Sequence, residues 1–290
     1  SLRRPRNNWI KNKFKKSIFF YCPHSPHIYT QELDRIYEEK SEINYNKQSF
    51  LLLGHPGDYH AINDQKEMAS EDIEKLFIGH PKYSKDWVQN LKKEVRDFRN
   101  SFKSREKINI LLLSRGYGSY LDEKSYTHLV NSSVSTIEKL IPNYNLYVKK
   151  HPRETHSHWD IVTKNHPSIE ISNKHIMELA TKADFIISFW GSGAMDCFLL
   201  GVPIIEYWDP EKNHKQQVLE NGSYTTIYKK LGIIFPAENE KELKKAVIKV
   251  IESNFEIKSV KPHLFFSDLI NRSNTWKIIF EKIIATHGLL

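Results

Sequence analysis

The chain has 290 residues, enough for one large domain or two ordinary ones with substantial buried cores. Its 39% hydrophobic and 27% charged residues describe a soluble globular protein, and no run approaches the roughly 18 apolar residues of a membrane span. The formal net charge of +8 is concentrated in Arg3, Arg4, Arg6, Lys11, Lys13, Lys15 and Lys16, while the remaining charge is mixed along the chain, which excludes a nucleic-acid footprint.

Within that basic stretch Trp9, Ile10 and Phe14 recur at roughly helical spacing. Residues 3–16 can therefore rest on an anionic membrane surface or form a solvated basic tail. Cys22 and Cys197 lie far apart and offer no disulfide framework, so a reducing, cytoplasmic setting is expected. The start at Ser1, without Met and without a signal-like apolar segment, suggests trimmed upstream sequence and no secretion signal. Ser17–Tyr21 and Phe50–Leu53 read as strands, each followed by a Pro-His or His-Pro turn, and residues 31–40 and 84–103 as helices. Residues 1–105 are thus expected to form a small or truncated N-terminal α/β domain with its linker.

Residues 106–290 alternate cleanly. Ile108–Leu113 is a short apolar run of the buried-strand type, and the spacing of Tyr126, Leu129, Val130, Val134, Ile137 and Ile141 predicts a helix over 122–141 closed by Pro142. Leu146–Val148 is a strand, followed by a helix near 155–165, a weak strand at Ile169–Ile171 and a helix over 174–182. Phe185–Ser188 is a strong strand with a helix from Gly193 to Leu200. Strands at Pro203–Glu206 and Gly232–Phe235 and helices near 238–253 and 273–286 complete the pattern. Such alternation implies a doubly wound parallel sheet, which binds ligands outside the carboxyl ends of its strands.

The chemistry-bearing residues fall at those ends. Ser188-Phe189-Trp190-Gly191-Ser192-Gly193 leaves a strand and opens a helix, where glycines permit close backbone approach and free amides suit a phosphate or carboxylate. The plainer reading is a strand-to-helix turn with Ser192 as cap. Lys149-Lys150-His151-Pro152-Arg153-Glu154 ends the preceding-but-one strand; His151 can bond a phosphate oxygen and Arg153 can clamp it bidentately, or the charges are simply solvated. Arg115-Gly116 follows the first strand of this half in a third loop of compatible chemistry. Glu206 can accept from ribose hydroxyls or pair with a lysine.

Lys149–Glu154, followed by Ser192-Gly193-Ala194 and Leu200-Gly201-Val202-Pro203-Ile204-Ile205-Glu206, resembles the C-terminal donor domain of GT-B glycosyltransferases. The pattern is most similar to the bacterial surface-polysaccharide group that includes sialyl- and Kdo-transferases and CDP-glycerol polymerases. Phe77–Tyr83 resembles the segment preceding that group's interdomain linker. The resemblance covers about residues 75–210. It implies a GT-B fold whose C-terminal Rossmann-like domain holds a nucleotide-activated donor through Arg115, Gly116, Lys150, His151, Pro152, Arg153, Ser188, Gly191, Ser192, Gly193 and Glu206.

The donor is then a CMP-linked acidic sugar by preference, with a UDP-sugar or CDP-glycerol open, and the acceptor is a glycan or lipid-linked glycan. The acidic N-terminal motif that supplies the base in sialyltransferases is missing. The base is therefore sought among His24, His27 and Asp58, where Ser25 replaces the glycine that follows the corresponding histidine in the CDP-glycerol group. No metal-ligand spacing is found, and neither metal nor cofactor is expected. A UDP-N-acetylglucosamine 2-epimerase and a non-catalytic nucleotide-sugar-binding module are the alternatives.

Overall fold

The computed structural model describes residues 17–22, 30–37, 42–58, 73–100, 106–118, 120–152, 154, 158–213, 221–257 and 261–289. The chain divides into two compact units, one made of residues 1–85 with 264–290 and the other of residues 86–263. This differs from the division at 105/106 expected from the sequence. Residues 86–105 go with the second unit and the final segment returns to the first.

In the second unit the helix α1 (Lys85–Asn100) leads into strand β4 (Ile108–Leu113). There follow α2 (Glu123–Leu140), β5 (Tyr144–Lys149), α3 (Trp159–Asn165), β6 (Ile169–Ile171) and α4 (Ile176–Thr181). Next come β7 (Phe185–Ser188), α5 (Gly193–Leu199), β8 (Ile204–Tyr207), α6 (Ile227–Lys230), β9 (Phe235–Ala237) and α7 (Glu240–Glu252). The strands form one parallel sheet in the order β6-β5-β4-β7-β8-β9. Renumbered from its first strand this is 3-2-1-4-5-6, the doubly wound order, whose direction reverses between β4 and β7.

Sequence dictates these elements locally. Asp122 caps α2 by accepting from the Ser125 amide at 2.8 Å, and the apolar residues that follow at helical spacing are buried. Asn239 caps α7 through the Glu242 amide. The strand interiors Ile110–Leu112, Phe185–Ile187 and Ile204–Ile205 are buried on both faces, as continuous apolar runs in a parallel sheet must be. Tyr207 and Ser132 share a buried hydroxyl–hydroxyl bond of 2.9 Å that ties β8 to α2.

The first unit contains β1 (Phe19–Tyr21), β2 (Ser49–Leu53) and β3 (Glu74–Phe77), parallel and adjacent in that order. The helices α8 (Leu264–Arg272) and α9 (Trp276–Thr286) belong to it. Ile283 joins Phe50, Leu52, Leu76 and Ile78 in one apolar cluster, with Trp276, Ile279 and Phe280 packed against it. Phe20 and Phe280 stack at 4.6 Å between ring centroids. Gly79 has φ +69° beneath the backbone of Ser273, whose hydroxyl accepts from the His80 amide at 2.9 Å, so a side chain at 79 has no room.

Several boundaries depart from the sequence reading. Within 31–40 the described backbone holds a single 3-10 turn at Thr30–Glu32, not a helix. β3 carries charged Glu74 and Lys75 and is not legible as an apolar run, and β9 begins at Phe235, where Gly232–Phe235 was expected. Gly232 instead has φ +66° and packs against the Lys261 carbonyl, which ends α6 rather than opening a strand.

Candidate functional site

The sheet register aligns Lys149, Leu113 and Ser188, the carboxyl-terminal residues of β5, β4 and β7, with Glu206, the last residue but one of β8. The loops leaving these strands share one rim, and the β4 and β7 loops flank the point where strand order reverses. That is where an open parallel sheet forms its ligand crevice.

Arg115, just beyond β4, crosses that point. One guanidinium nitrogen donates to the Trp190 carbonyl at 3.0 Å, and the carbon Cζ stands 4.3 Å from the ring centroids of both Tyr120 and Trp190. An arginine so flanked is held in one orientation with its charge weakly hydrated, the state suited to a phosphate. Trp190 has φ +54°, a left-handed backbone that a bulky residue rarely adopts, and its indole stacks on buried Trp208 at 5.4 Å. Gly116 has φ +70°, and a Cβ there would lie 2.6 Å from Cγ of Glu154. Its lack of a side chain is thus fixed by protein packing.

In the turn after β7, Ser192 precedes α5 with helical backbone angles and makes no side-chain cap. The plain capping reading therefore does not hold for its hydroxyl. The glycines on either side differ in kind. A Cβ on Gly193 would collide with Cδ1 of Ile176, whereas one on Gly191 would meet nothing within 4 Å. Gly193 serves packing; the space over Gly191 is open.

Beneath this turn two polar atoms are buried without a protein partner, Oγ of Ser188 and Oε2 of Glu206. The other Glu206 oxygen accepts from the Thr226 hydroxyl. Burial dominates the Glu206 carboxyl and pushes its pKa up to about 8, with the Thr226 bond and Lys229 opposing. Lys229 is bound to Glu238 at 2.7 Å, so the lysine pairing entertained for Glu206 is not formed. Buried Tyr228 stands among Glu206, Arg115 and Asp196, and burial raises its hydroxyl pKa above the usual tyrosine range.

After β5, the Lys149 ammonium donates to the Asn173 carbonyl at 3.0 Å and Lys150 pairs with Asp160 at 3.2 Å. Neither lysine is held as a free anion clamp. His151 and Glu154 close a turn through the Glu154 amide and the His151 carbonyl at 2.8 Å, with exposed Pro152 at the position where proline favours a turn. Arg153 lies outside the described residues.

On the first unit, His24, His27 and the basic segment 3–16 also lie outside the described residues. Asp58 is buried, and its Oδ2 accepts from the amides of Gly54 at 2.8 Å and His55 at 3.2 Å, closing the turn after β2. His55, not singled out by the sequence, is held more elaborately. Its Nδ1 accepts from the Gly57 amide at 3.0 Å, its Nε2 faces Asp268 at 3.3 Å, and its ring meets those of Tyr37 and Phe265 edge-on. Tyr120, Thr226 and Tyr228 also escaped the sequence reading, and Trp190 entered it only as a member of its motif, because aromatic and hydroxyl residues in loops carry no spacing signal. Among the described residues no cluster of metal-ligating side chains occurs, and no helix is long and apolar enough to cross a membrane.

No protein-family model and no curated protein sequence matches the chain. Solved structures do. The wall teichoic acid polymerase TagF, as its H548A form, superposes with a TM-score of 0.55 at 12% identity over 93% of this chain and 68% of its own. Another TagF structure gives 0.54 at 12% identity, covering 93% and 69%. UDP-GlcNAc 2-epimerase from Methanocaldococcus jannaschii gives 0.49 at 18% identity, covering 80% and 61%. The chain thus spans 61% to 69% of the length of these structures. The fold is α/β of the GT-B type, with parallel Rossmann-like sheets.

Proposed function

We propose that this chain is a metal-independent glycosyltransferase that takes a sugar from a nucleotide-activated donor and passes it to a surface glycan or lipid-linked glycan. One observation carries the reading. At the reversal point of a doubly wound sheet, an aromatic-flanked arginine stands on the same rim as two buried, unpartnered polar atoms on adjacent strands. A phosphate beside a polyhydroxyl group suits this rim, the phosphate facing the Arg115 guanidinium and the hydroxyls supplying hydrogen-bond partners for Ser188 and Glu206.

In the transfer, an acceptor oxygen attacks the anomeric carbon as that carbon's bond to the phosphate oxygen breaks. The bonding pair leaves on the phosphate. Arg115, His151 and the backbone amides of the Gly191–Gly193 turn offset the growing charge. The acceptor proton passes to a base, for which His24, His27 and Asp58 are the candidates. We favour a CMP-linked acidic sugar as donor, with a UDP-sugar reacting in the same way; CDP-glycerol, which has no anomeric carbon, would instead be attacked at its glycerol-bearing phosphorus with CMP leaving. A cytoplasmic position beside an anionic membrane surface contacted through residues 3–16 accompanies this reading.

Calorimetry with CMP, UDP, CDP and GDP tests the donor site: one nucleotide binds the native protein and binds more weakly after His151→Ala or Arg115→Ala. Absence of binding at millimolar nucleotide would remove the reading. Turnover of UDP-N-acetylglucosamine without acceptor would replace it with epimerisation, and binding without turnover on any acceptor would leave a nucleotide-sugar-binding module.

A further inference from the structure

The rim loops after β4 and β5 are irregular backbone, yet Arg115 and His151 must keep a fixed separation to grip one ligand. A single carboxylate links them. Oε1 of Glu154 accepts from the Tyr126 hydroxyl at 2.6 Å and from the Ser114 hydroxyl at 3.1 Å, and Oε2 accepts from the His151 amide at 3.2 Å. Ser114 is oriented from behind by the indole N–H of buried Trp159 at 3.0 Å, and the Ser114 amide extends the sheet ladder to the Lys149 carbonyl. The Glu154 methylenes fill the space that Gly116 leaves open.

We propose that Glu154 is the positioning residue of the donor site, a latch that locks the Ser114–Gly116 loop and the His151–Glu154 turn into one rigid anion-binding rim. The proposal rests on the donor-site reading above. Each of its bonds joins a carboxylate to a hydroxyl or amide, and such charge-assisted bonds are stronger than neutral ones. They commit the carboxylate to its protein neighbours, so Glu154 acts through Arg115 and His151 rather than on the ligand. Tyr126 is wholly buried on α2, which anchors the latch to the core rather than to another loop.

The test pairs Glu154→Gln with Tyr126→Phe. Glutamine keeps an oxygen for Tyr126 and Ser114 but sets an amide N–H against the His151 N–H; phenylalanine deletes one donor away from the rim. Each variant should weaken nucleotide binding about tenfold, the loss of roughly one charge-assisted bond's worth of order. Because the effect runs through Arg115 and His151, the losses from Glu154→Gln and His151→Ala should sum to less than additive in the double variant, whereas a general structural defect would add in full. Hydrogen exchange read without ligand should rise together in residues 114–118 and 150–154 of Glu154→Gln while β4 stays protected. Native-like exchange in both loops would overturn the latch whether or not any nucleotide binds. Full nucleotide affinity in both variants would overturn it with the donor site intact, and failure of the native protein to bind any nucleotide would remove the donor-site reading instead.

Discussion

Burial lifts the Glu206 carboxyl from 4.5 to about 8, and that has a consequence for stability. A carboxyl whose folded pKa exceeds its unfolded value binds its proton more tightly in the native state. Its contribution is complete below 4.5 and is lost as pH rises through 8. The slope is at most about 1.4 kcal/mol per pH unit in that window. Glu206→Gln, of the same shape and neutral at every pH, should therefore flatten the pH dependence of the melting temperature between those limits. An unchanged slope in thermal denaturation would show that Glu206 ionises freely. Arg115→Lys tests the neighbouring group: lysine keeps the charge but loses the planar fork and the two ring contacts. Nucleotide affinity should fall about tenfold in calorimetry, the loss of roughly one charge-assisted bond to the phosphate.

At the scale of elements, the turn between β7 and α5 separates packing from binding in two glycines. Gly193→Ala sets a methyl against the end of the half-buried Ile176 side chain, which must shift aside, and should cost about 1 kcal/mol or less in chemical denaturation. Gly191→Ala meets open space, so it should melt like the native protein yet bind nucleotide less well. The opposite ranking would mean that the ligand does not approach this turn. How far such elements are legible in sequence varies with their burial. The strands β4, β7 and β8 announce themselves because both faces are covered and nearly every side chain must be apolar, while β5 alternates buried Tyr144, Leu146 and Val148 with half-buried neighbours. β3 opens on two charged residues, Glu74 and Lys75, and passes unnoticed, and α8 hides behind a loop-like Lys261-Pro262-His263 approach. In the site, Arg115, Ser188 and Glu206 are legible from their place at strand ends. Glu154 is visible as part of its motif, but its role as latch is not, because its partners Tyr126 and Ser114 come from elements that only the folded sheet brings together.

For the molecule as a whole, the two units are unequal in self-sufficiency. The second is continuous over residues 86–263 and has its own large core on both sides of six strands. The first takes part of its core from α9, whose Ile283 is fully buried among residues of β2 and its neighbours. Residues 86–263 expressed alone should melt cooperatively and retain nucleotide binding. Residues 1–85 alone should show neither cooperative melting nor dispersed amide resonances, and adding residues 264–290 as a separate peptide should restore both. A folded 1–85 fragment would contradict the division of the core described above.

The return of α8 and α9 to the first unit also sets an order of events during synthesis. Residues 17–85 leave the ribosome before the second unit, with their apolar strands, but the helix that covers them emerges only after the whole second unit. The nascent chain therefore carries an uncovered sheet while the second unit folds, and translation pauses or premature stops before Trp276 would release a protein with a folded second unit and an aggregation-prone first one.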